Sequence, residues 1–287
     1  MAKVAFVGLG VMGYPMAGHL AAAGNAMGVF NRGQGKAARW VAQHGGAAAG
    51  SIAELVADRE AVALCVGNDG DVRQCLAEIL PNMPKGGVIV DHTTTSAKLA
   101  REAAAEAREH GLWFVDAPVS GGQAGAEAGA LSIMAGGEPE AFALAEPVMS
   151  AYAKAIRHIG APGDGQLCKM VNQIAIAGVV QGLAEATHFA KRSGLDTDAV
   201  YEAISKGAAQ SWQMDNRFKT MVDGKFDFGF AVDWMRKDLG LVLDEARANG
   251  ARLEVTALVD QFYAELQAMG GRRWDTSSLA ARLERPK

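Results

Sequence analysis

The feature that most constrains the fold is a run of glycines that directly follows the first apolar segment of the chain. Val4 to Val7 has the pattern of a short buried strand, and Gly8-Leu9-Gly10-Val11-Met12-Gly13 comes next with the spacing G-x-G-x-x-G. Pro15 to Ala23 then has the pattern of a helix with proline in its first turn, and Met27 to Phe30 has that of a second strand. This order predicts a strand, helix and strand unit in which the glycines allow a tight turn and close packing.

The same alternation continues through the first half of the chain. Further strand patterns occur at Ala61 to Val66, Val88 to Val90 and Trp113 to Val115, and helical patterns occur at Lys36 to His44 and Ala97 to His110. Alternating strands and helices are typical of a parallel sheet with helices on both faces. We therefore predict an α/β fold with a doubly wound parallel sheet of the Rossmann type in the N-terminal domain.

Beyond about residue 160 the pattern becomes helical throughout, which predicts a second domain. Pro162, Gly163 and Gly165 mark the change, and the segment from about 165 to 193 has no proline, so one long interdomain helix is expected there. The predicted boundaries are a sheet domain over residues 1–162 and an all-α domain over residues 163–287.

Composition argues against several classes of partner. The 28 Lys and Arg against 32 Asp and Glu give a formal net charge of −4, so the chain has no basic excess to neutralise nucleic-acid phosphates. Three cysteines without C-x-x-C spacing predict a cytoplasmic protein with no disulfide framework. Six histidines without H-x-x-x-H spacing predict that the protein has no metal site. Glycines interrupt the uncharged N-terminal stretch, and polar residues interrupt the run between Lys169 and Glu185. We therefore expect no signal peptide and no membrane partner.

The glycine run also predicts a bound cofactor. Glycines with this spacing let the backbone approach the pyrophosphate of a dinucleotide at the N-terminus of the next helix, although a turn that serves only packing is the alternative. After the second strand, an NAD site usually has an acidic residue for the ribose 2′-hydroxyl, whereas this chain has Asn31-Arg32 and then Lys36. Two cations favour a 2′-phosphate, so we predict NADP as the preferred cofactor and NAD as the second choice, unless both are solvated surface cations.

Two further segments carry candidate chemistry. Backbone amides around Ser120-Gly121-Gly122, in a glycine-rich run that extends from Asp116 to Gly137, could form an anion-binding nest, with a purely structural loop as the alternative. Lys169 and Asn172 lie three residues apart in the predicted long helix, so both side chains project from one face near the domain junction. Burial of Lys169 would lower its pKa toward the range of a proton donor; a solvated helix lysine is the alternative.

Together these motifs resemble the β-hydroxyacid dehydrogenase family over nearly the whole chain. The resemblance rests on Gly8 to Gly13, on Asp116 to Gly122, on Gly163 to Asn172 and on Lys237-Asp238-Leu239. That family, which includes 3-hydroxyisobutyrate dehydrogenase, tartronate semialdehyde reductase and glyoxylate/succinic semialdehyde reductases, has a Rossmann domain, a long interdomain helix and a helical dimerisation domain. The resemblance implies an NAD(P)-dependent oxidoreductase that acts on a small β-hydroxyacid or its semialdehyde, as a homodimer or homotetramer.

The resemblance also implies a role for each matched residue. Lys169 would act as general acid and base on the substrate oxygen, and Asn172 would fix the substrate by a hydrogen bond. Ser120, Gly121 and Gly122 would hold the substrate carboxylate. The residues expected at the cofactor are Val66-Gly67-Asn68, Thr94 and, from the helical domain, Lys237.

The segment expected to face the substrate differs from the well-known subgroups of the family. It runs from Ala208 to Arg217, where Trp212 could wall a small pocket and Arg217 could meet a second carboxylate. Core packing of Trp212 and a surface position for Arg217 are the alternatives. Two other functions stay open: an imine reductase of the same architecture, which typically has another residue at position 169, and a dinucleotide-binding protein without catalytic activity.

Overall fold

The computed structural model describes residues 2–284. In the first part of the chain, nine strands form one sheet with the order β3-β2-β1-β4-β5-β6-β8-β7 and with β9 paired to β8. The strands are β1 (Lys3–Val7), β2 (Ala26–Phe30), β3 (Ala47–Ala48), β4 (Ala61–Leu64), β5 (Val88–Asp91), β6 (Trp113–Asp116), β7 (Val119–Ser120), β8 (Leu131–Gly136) and β9 (Ala153–Gly160).

The six strands from β3 to β6 are all parallel. Their spatial order, 3-2-1-4-5-6, is that of dinucleotide-binding Rossmann folds, which confirms the predicted fold class. Parallel strands end at one edge of a sheet, so the segments after β1, β2, β4, β5 and β6 lie along the same edge. These segments contain most of the residues that the sequence assigns to a cofactor and a carboxylate.

The core of this part lies on both faces of the sheet because successive strand residues point to opposite sides. In β1, Val4 and Phe6 belong to one apolar cluster, and Ala5 and Val7 belong to the other. The helices that cover the sheet are α1 (Gly13–Ala22), α2 (Gln34–His44), α3 (Ile52–Val56), α4 (Asp69–Ile79), α5 (Ala97–Glu109), α6 (Gly122–Glu127) and α7 (Pro139–Met149).

The glycine-rich run after β6 has more regular structure than its composition indicates. It contains α6 and then β8, which pairs antiparallel with β6 and β7. Alternate residues of β8 are buried, among them Leu131 and Ile133. A Cβ on Gly136 would come within 2.6 Å of the backbone nitrogen of Gly165. The glycine at this position therefore allows the end of β8 to pack closely against the start of the next helix.

The rest of the chain, as far as residue 284, is mainly helical, as predicted. The contacts divide the chain into two units, whose boundary lies between Lys169 and Met170. Helix α8 is continuous across that boundary, and the later helices pack around the apolar side chains of Phe218, Leu239 and Tyr263. These elements are α8 (Asp164–Arg192), α9 (Thr197–Ile204), α10 (Trp212–Val222), α11 (Val232–Asn249), α12 (Glu254–Ala268), the 3-10 helix Thr276–Ser278 and α13 (Leu279–Leu283).

Helix α8 is the longest helix among residues 2–284, with 29 residues. It is the one described helix that is long and apolar enough to cross a membrane by those two criteria, and 44% of its apolar stretch is buried. Ala177, Val180 and Leu183 on this helix belong to the core of the helical unit. A buried core helix meets the same criteria, so length and composition alone do not distinguish a core helix from a membrane span.

Candidate active site

The three glycines of the G-x-G-x-x-G run have different environments. Gly8 has a φ of +97°, and a Cβ there would collide with the carbonyl oxygen of Cys65. A Cβ on Gly13 would collide with the carbonyl oxygen of Gly8, which lets α1 begin tightly against β1. No protein atom lies within 4 Å of a Cβ placed on Gly10. Packing therefore explains Gly8 and Gly13, whereas Gly10 faces open space of the kind that a pyrophosphate would need.

The start of α1 fits an anionic group. No side chain caps this helix and no acidic residue lies in its first turn, so its first backbone N–H groups have no carboxylate partner of their own. The loop before it is fixed by Asn31, whose Oδ1 accepts a hydrogen bond of 3.0 Å from the backbone nitrogen of Leu9. The residues present therefore fit the dinucleotide that the motif predicts.

Alanine substitutions at Gly10 and Gly13 should separate cofactor binding from packing. Gly13→Ala is expected to lower the melting temperature, since overpacking of this kind costs about 1–3 kcal/mol. Gly10→Ala is expected to leave the melting temperature unchanged but to weaken NADPH binding at least about tenfold, which is about 1.4 kcal/mol. Thermal unfolding and NADPH fluorescence titration measure the two effects. Wild-type NADPH affinity in Gly10→Ala would contradict the assignment of this loop to the pyrophosphate.

The residues expected at the ribose lie after β2. Asn31 accepts from Leu9 in the glycine loop, and its Nδ2 donates to the carbonyl oxygen of Gly33 at 3.1 Å, so its side chain links the loops after β1 and β2. Arg32 forms an ion pair of 3.1 Å with Asp71 on α4, while 79% of its side chain is exposed. Lys36 is exposed on α2. Both cations are thus solvent-accessible at the edge of the sheet where the motif predicts the cofactor.

The loops after β4 and β5 are tied together. Thr93 accepts a hydrogen bond at its Oγ1 from the backbone nitrogen of Val66 at 3.0 Å. Asn68 caps α4 by accepting from the nitrogen of Asp71 at 3.1 Å. Thr94, the residue expected on the nicotinamide side, is half-buried in the same loop. Val66, Asn68 and Thr94 therefore belong to neighbouring loops at the carboxyl edge of the sheet.

The segment expected to hold a carboxylate begins at the end of β7. Ser120 ends this strand, and the exposed Gly121 and Gly122 follow with φ values of +132° and +61°, which favour glycine. Upstream, the buried His92 fixes the approach to this turn. Its Nδ1 donates to the carbonyl oxygen of Ala117 and its Nε2 accepts from the hydroxyl of Tyr152, both at 2.7 Å.

The surroundings of His92 keep its ring neutral. Burial lowers the pKa of His92 from 6.5 to about 4, because a charged imidazolium would lose its hydration in the core. A neutral ring with one N–H satisfies both hydrogen bonds, because Nδ1 donates to the carbonyl oxygen and Nε2 accepts from the hydroxyl. The sequence pattern gave no reason to single out His92, because its partners lie 25 and 60 residues away.

Lys169 is buried, with 7% of its surface exposed. It lies in the second turn of α8, and the start of that helix is anchored on Asp116 at the end of β6. The Oδ1 of Asp116 accepts from the nitrogen of Gly163 at 2.8 Å, and its Oδ2 accepts from the nitrogen of Gln166 at 2.9 Å. The Asp116 side chain thus caps the helix that carries Lys169, and it fixes the first turn of that helix to the end of β6.

Asp116 should give the fold a characteristic dependence on pH. Burial raises the pKa of Asp116 from 3.8 to about 7, although the N–H groups of Gly163 and Gln166 oppose this. Between these two values the folded chain binds a proton that the unfolded chain has lost, so this group's contribution to the free energy of unfolding falls as pH rises from about 4 to about 7.

The measurement is urea unfolding of the wild type and of Asp116→Asn across that pH range. The wild type is expected to lose stability relative to the variant as pH rises, by an amount on the order of a few kcal/mol. The variant itself is expected to be less stable at low pH, because an amide cannot accept both helix N–H bonds. Parallel stability curves for the two proteins would show that the carboxyl group does not titrate as described.

In the helical unit, the two residues that the resemblance assigns to the site are linked by a network. Asn172 donates from Nδ2 to Oε1 of Gln173 at 2.7 Å, and Gln173 donates from Nε2 to Oδ2 of Asp238 at 2.7 Å. The Oδ1 of Asp238 lies 3.1 Å from the Nζ of Lys237. Gln173 and Asp238 are buried. The network therefore fixes Asn172 and Lys237 relative to each other through Asp238 of the Lys237-Asp238-Leu239 motif and through Gln173, to which the sequence analysis gave no role.

Arg217 and Trp212 are part of a different arrangement in the helical unit. The Nε of Arg217 lies 3.0 Å from Oδ1 of the buried Asp275, and its guanidinium lies 4.9 Å from the ring centres of both Trp212 and Phe228. Trp212 is 54% exposed, so it is not a core residue. Because Asp275 already neutralises Arg217, the pairing argues against the second-carboxylate role and favours a role in fixing the loop before α11.

Asp275 organises that loop through further contacts. It accepts from the backbone nitrogens of Phe230 and Ser277 at 2.9 and 3.0 Å, and from the hydroxyl of Ser277 at 2.6 Å. Among residues 2–284, no group of three or more His, Cys, Asp or Glu residues is arranged to hold a metal ion.

Two family models match the chain, one in each half. A model described as the NAD binding domain of 6-phosphogluconate dehydrogenase matches residues 3–160, and one described as NAD-binding of NADP-dependent 3-hydroxyisobutyrate dehydrogenase matches residues 163–283. The first match ends at residue 160, the last residue of β9, and the second begins at residue 163, just before α8.

Whole-chain relatives agree with these models. An uncharacterized oxidoreductase of Shewanella frigidimarina is 60% identical over 100% of both chains, and the 2-(hydroxymethyl)glutarate dehydrogenase of Eubacterium barkeri is 35% identical over 96% of this chain and 93% of that protein. The solved structure of the Mycobacterium tuberculosis 3-hydroxyisobutyrate dehydrogenase with L-serine is 32% identical, has a TM-score of 0.90, and is matched over 99% of this chain and 100% of that one. The chain therefore belongs to the 3-hydroxyisobutyrate dehydrogenase family, and it is an NAD(P)-dependent oxidoreductase of the β-hydroxyacid dehydrogenase type.

Proposed function

We propose that this enzyme interconverts a small β-hydroxyacid and its semialdehyde, with Lys169 as general acid and base and NADP as the preferred cofactor. The observation that carries the proposal is the position of Lys169, which is 7% exposed on a helix whose first turn is anchored by Asp116. Lysine is among the residue types that are least often buried. A lysine held in this way beside the carboxyl edge of the sheet fits a proton donor better than a solvated surface cation.

The chain's own residues would supply proton transfer and orientation. During reduction, Nζ of Lys169 donates a proton to the carbonyl oxygen of the semialdehyde, and during oxidation it takes the proton back from the hydroxyl group. A bound nicotinamide supplies or accepts the hydride. Asn172 fixes the substrate by a hydrogen bond, and its amide is oriented beforehand by Gln173.

The substrate carboxylate would bind at the turn after β7. The hydroxyl of Ser120 and the backbone N–H groups of Gly121 and Gly122 are the donors, and the positive φ values of both glycines support a turn of this kind. The names of the relatives support the same substrate class. L-serine and 2-(hydroxymethyl)glutarate both have a hydroxymethyl group on the carbon next to a carboxylate, and 3-hydroxyisobutyrate has the same arrangement.

The preference for NADP rests on Arg32 and Lys36. Both are exposed after β2, where enzymes that prefer NAD usually have an acidic residue. Arg32 would exchange Asp71 for the 2′-phosphate, which is a stronger partner because it carries more charge and accepts a bidentate contact. Lys36 would add a second positive charge.

The test is the initial rate of oxidation of NADPH and of NADH with glyoxylate, succinic semialdehyde, methylmalonate semialdehyde and tartronate semialdehyde. The reverse reaction uses 3-hydroxyisobutyrate, 2-(hydroxymethyl)glutarate and L-serine. We expect turnover of at least one carboxylate, faster with NADPH, and no turnover of matched aldehydes that lack the carboxylate. Turnover of cyclic imines alone would favour an imine reductase, and tight NADPH binding without any turnover would favour a binding protein.

We also propose that the enzyme acts in the cytoplasm as a homodimer or homotetramer. Cys75 and Cys168 are free thiols, which suits a reducing compartment. A stripe of exposed small and apolar residues on α8 that includes Val171 and Phe189, exposed by 66% and 69%, supports self-association. Analytical ultracentrifugation measures the assembly, and a monomer at micromolar concentration would contradict it.

A further inference from the structure

Gln166 is a buried residue beside the carboxyl edge of the sheet, and each end of its side-chain amide makes a hydrogen bond. It lies in the first turn of α8, three residues before Lys169, and none of its surface is exposed. Its Oε1 accepts from the backbone nitrogen of Thr95 at 3.0 Å, and its Nε2 donates to the carbonyl oxygen of Thr93 at 2.8 Å. One amide thus holds the backbone on both sides of Thr94.

The backbone of Gln166 makes a third connection. Its N–H donates to Oδ2 of Asp116 at the end of β6. Thr93, in turn, accepts at its Oγ1 from the nitrogen of Val66 in the loop after β4. Gln166 therefore joins the helix that carries Lys169 to the loops that follow β4, β5 and β6.

The chemistry of these contacts requires a glutamine. One end of the side chain must donate and the other must accept, and only an amide of this length does both at neutral pH. Rotation of the side chain would leave buried backbone groups of Thr93 and Thr95 without partners, which costs the desolvation free energy of those groups. The amide therefore restricts the first turn of α8 to one position relative to the loop that contains Thr94.

We propose that Gln166 is a positioning residue that holds Lys169 and Thr94 in one fixed arrangement for proton and hydride transfer. The inference rests on the proposed roles of Lys169 and Thr94. It gives a role to Gln166, which the proposed function does not use. Gln166 does not itself touch the reacting atoms. Its removal should therefore slow the chemical step while the affinities for substrate and cofactor are largely kept.

The first experiment compares Gln166→Met with the wild type. Methionine has a similar length but cannot bridge Thr93 and Thr95. We expect kcat to fall about 10- to 100-fold, as for a small misplacement of reacting groups, and KM for NADPH and substrate to change by less than about threefold. The deuterium isotope effect on kcat with NADPH labelled at the transferred position should rise, because the chemical step becomes more nearly rate-limiting. Simple loss of folded enzyme would lower the rate but leave that isotope effect unchanged.

A matched control is Gln181→Met on the same helix. Gln181 is also buried, and its Nε2 donates to Glu185 at 2.6 Å, within one turn. This variant should lose stability to a similar degree and keep the wild-type kcat and isotope effect. Both variants are assayed well below their melting temperatures, so that unfolding does not enter the comparison.

Gln166→Glu provides a second variant of the same size. A carboxylate can still accept from Thr95 but faces the carbonyl oxygen of Thr93, whereas a protonated carboxyl group can donate to it. We therefore expect the ratio of its kcat to that of the wild type to rise as pH falls. Asp91 and Asp116, the acidic groups that contact Thr93 and Gln166, are present in both proteins.

The outcomes separate the inference from the proposed function. Wild-type kcat and isotope effect in Gln166→Met, together with loss of activity in a Lys169 variant, would overturn the role of Gln166 and leave that of Lys169 intact. Full activity in the Lys169 variant would overturn both. A fall in kcat with a raised isotope effect in Gln166→Met, absent in Gln181→Met, is the result that supports the positioning role.

Discussion

Replacing Lys169 by methionine is expected to lower kcat by about 10²- to 10⁴-fold, the usual contribution of general acid and base catalysis. The side chain keeps its approximate length and apolar stem, so the buried position should tolerate it. NADPH binding, measured by fluorescence titration, should stay within about threefold of the wild type, because the predicted role concerns the substrate oxygen. Initial rates with the best substrate of the panel measure the effect.

Two further variants show whether the proton or the positive charge matters. Lys169→Arg keeps the charge, but a guanidinium does not release its proton in the working range of pH, so this variant should be nearly as slow as methionine. Lys191→Met removes another lysine of α8, which pairs at 3.0 Å with Glu284 near the other end of the helix, and should keep the wild-type kcat. Activity in Lys169→Arg close to the wild type would show that charge alone suffices, and would exclude Lys169 as the proton donor.

The double substitution of Arg32 and Lys36 by serine is expected to reverse the cofactor preference. A hydrogen bond to a charged group contributes about 1.5–3 kcal/mol, so kcat/KM for NADPH should fall about 100-fold or more. The value for NADH should change by less than about threefold, since NADH has no 2′-phosphate. Initial rates with both cofactors, at saturating substrate and at several salt concentrations, give the ratio directly.

The control removes a cation elsewhere in the same unit. Lys98→Ser on α5, whose side chain is 81% exposed, should leave the NADPH to NADH ratio unchanged. Asp71→Asn is informative as well, because it releases Arg32 from its present ion pair and should raise kcat/KM for NADPH. Equal decreases in kcat/KM for NADPH and for NADH in the double variant would mean that the two cations do not bind the 2′-phosphate.

Local sequence patterns were sufficient for the fold class and for much of the cofactor loop. The short apolar run of β1, the glycine spacing after it and the helical periodicity beyond residue 160 each depend on neighbours along the chain. The roles of Gly8 and Gly13 could be predicted for the same reason, because a tight strand-to-helix turn requires them locally. Strand β8 was not predicted, since its partners are distant and its glycines resemble those of a loop.

The candidate site shows the same division. Lys169, Ser120 and Arg32 could be named from motifs, but the sequence could not show that Arg32 pairs with Asp71 or that Arg217 pairs with Asp275. The second of these contacts spans 58 residues, and it favours a structural role for Arg217 over that of a substrate ligand.

The sequence by itself determined the order of elements, the dinucleotide-binding turn and the family, because these depend on short-range patterns of size, polarity and glycine. Only the tertiary structure decided which buried polar groups meet. The pairing of Gln166 with Thr93, of Asp116 with Gly163 and of Gln173 with Asp238 joins residues 47 to 73 positions apart. A buried donor or acceptor must find a partner once water is excluded, and the packing of strands and helices sets which partner lies within reach.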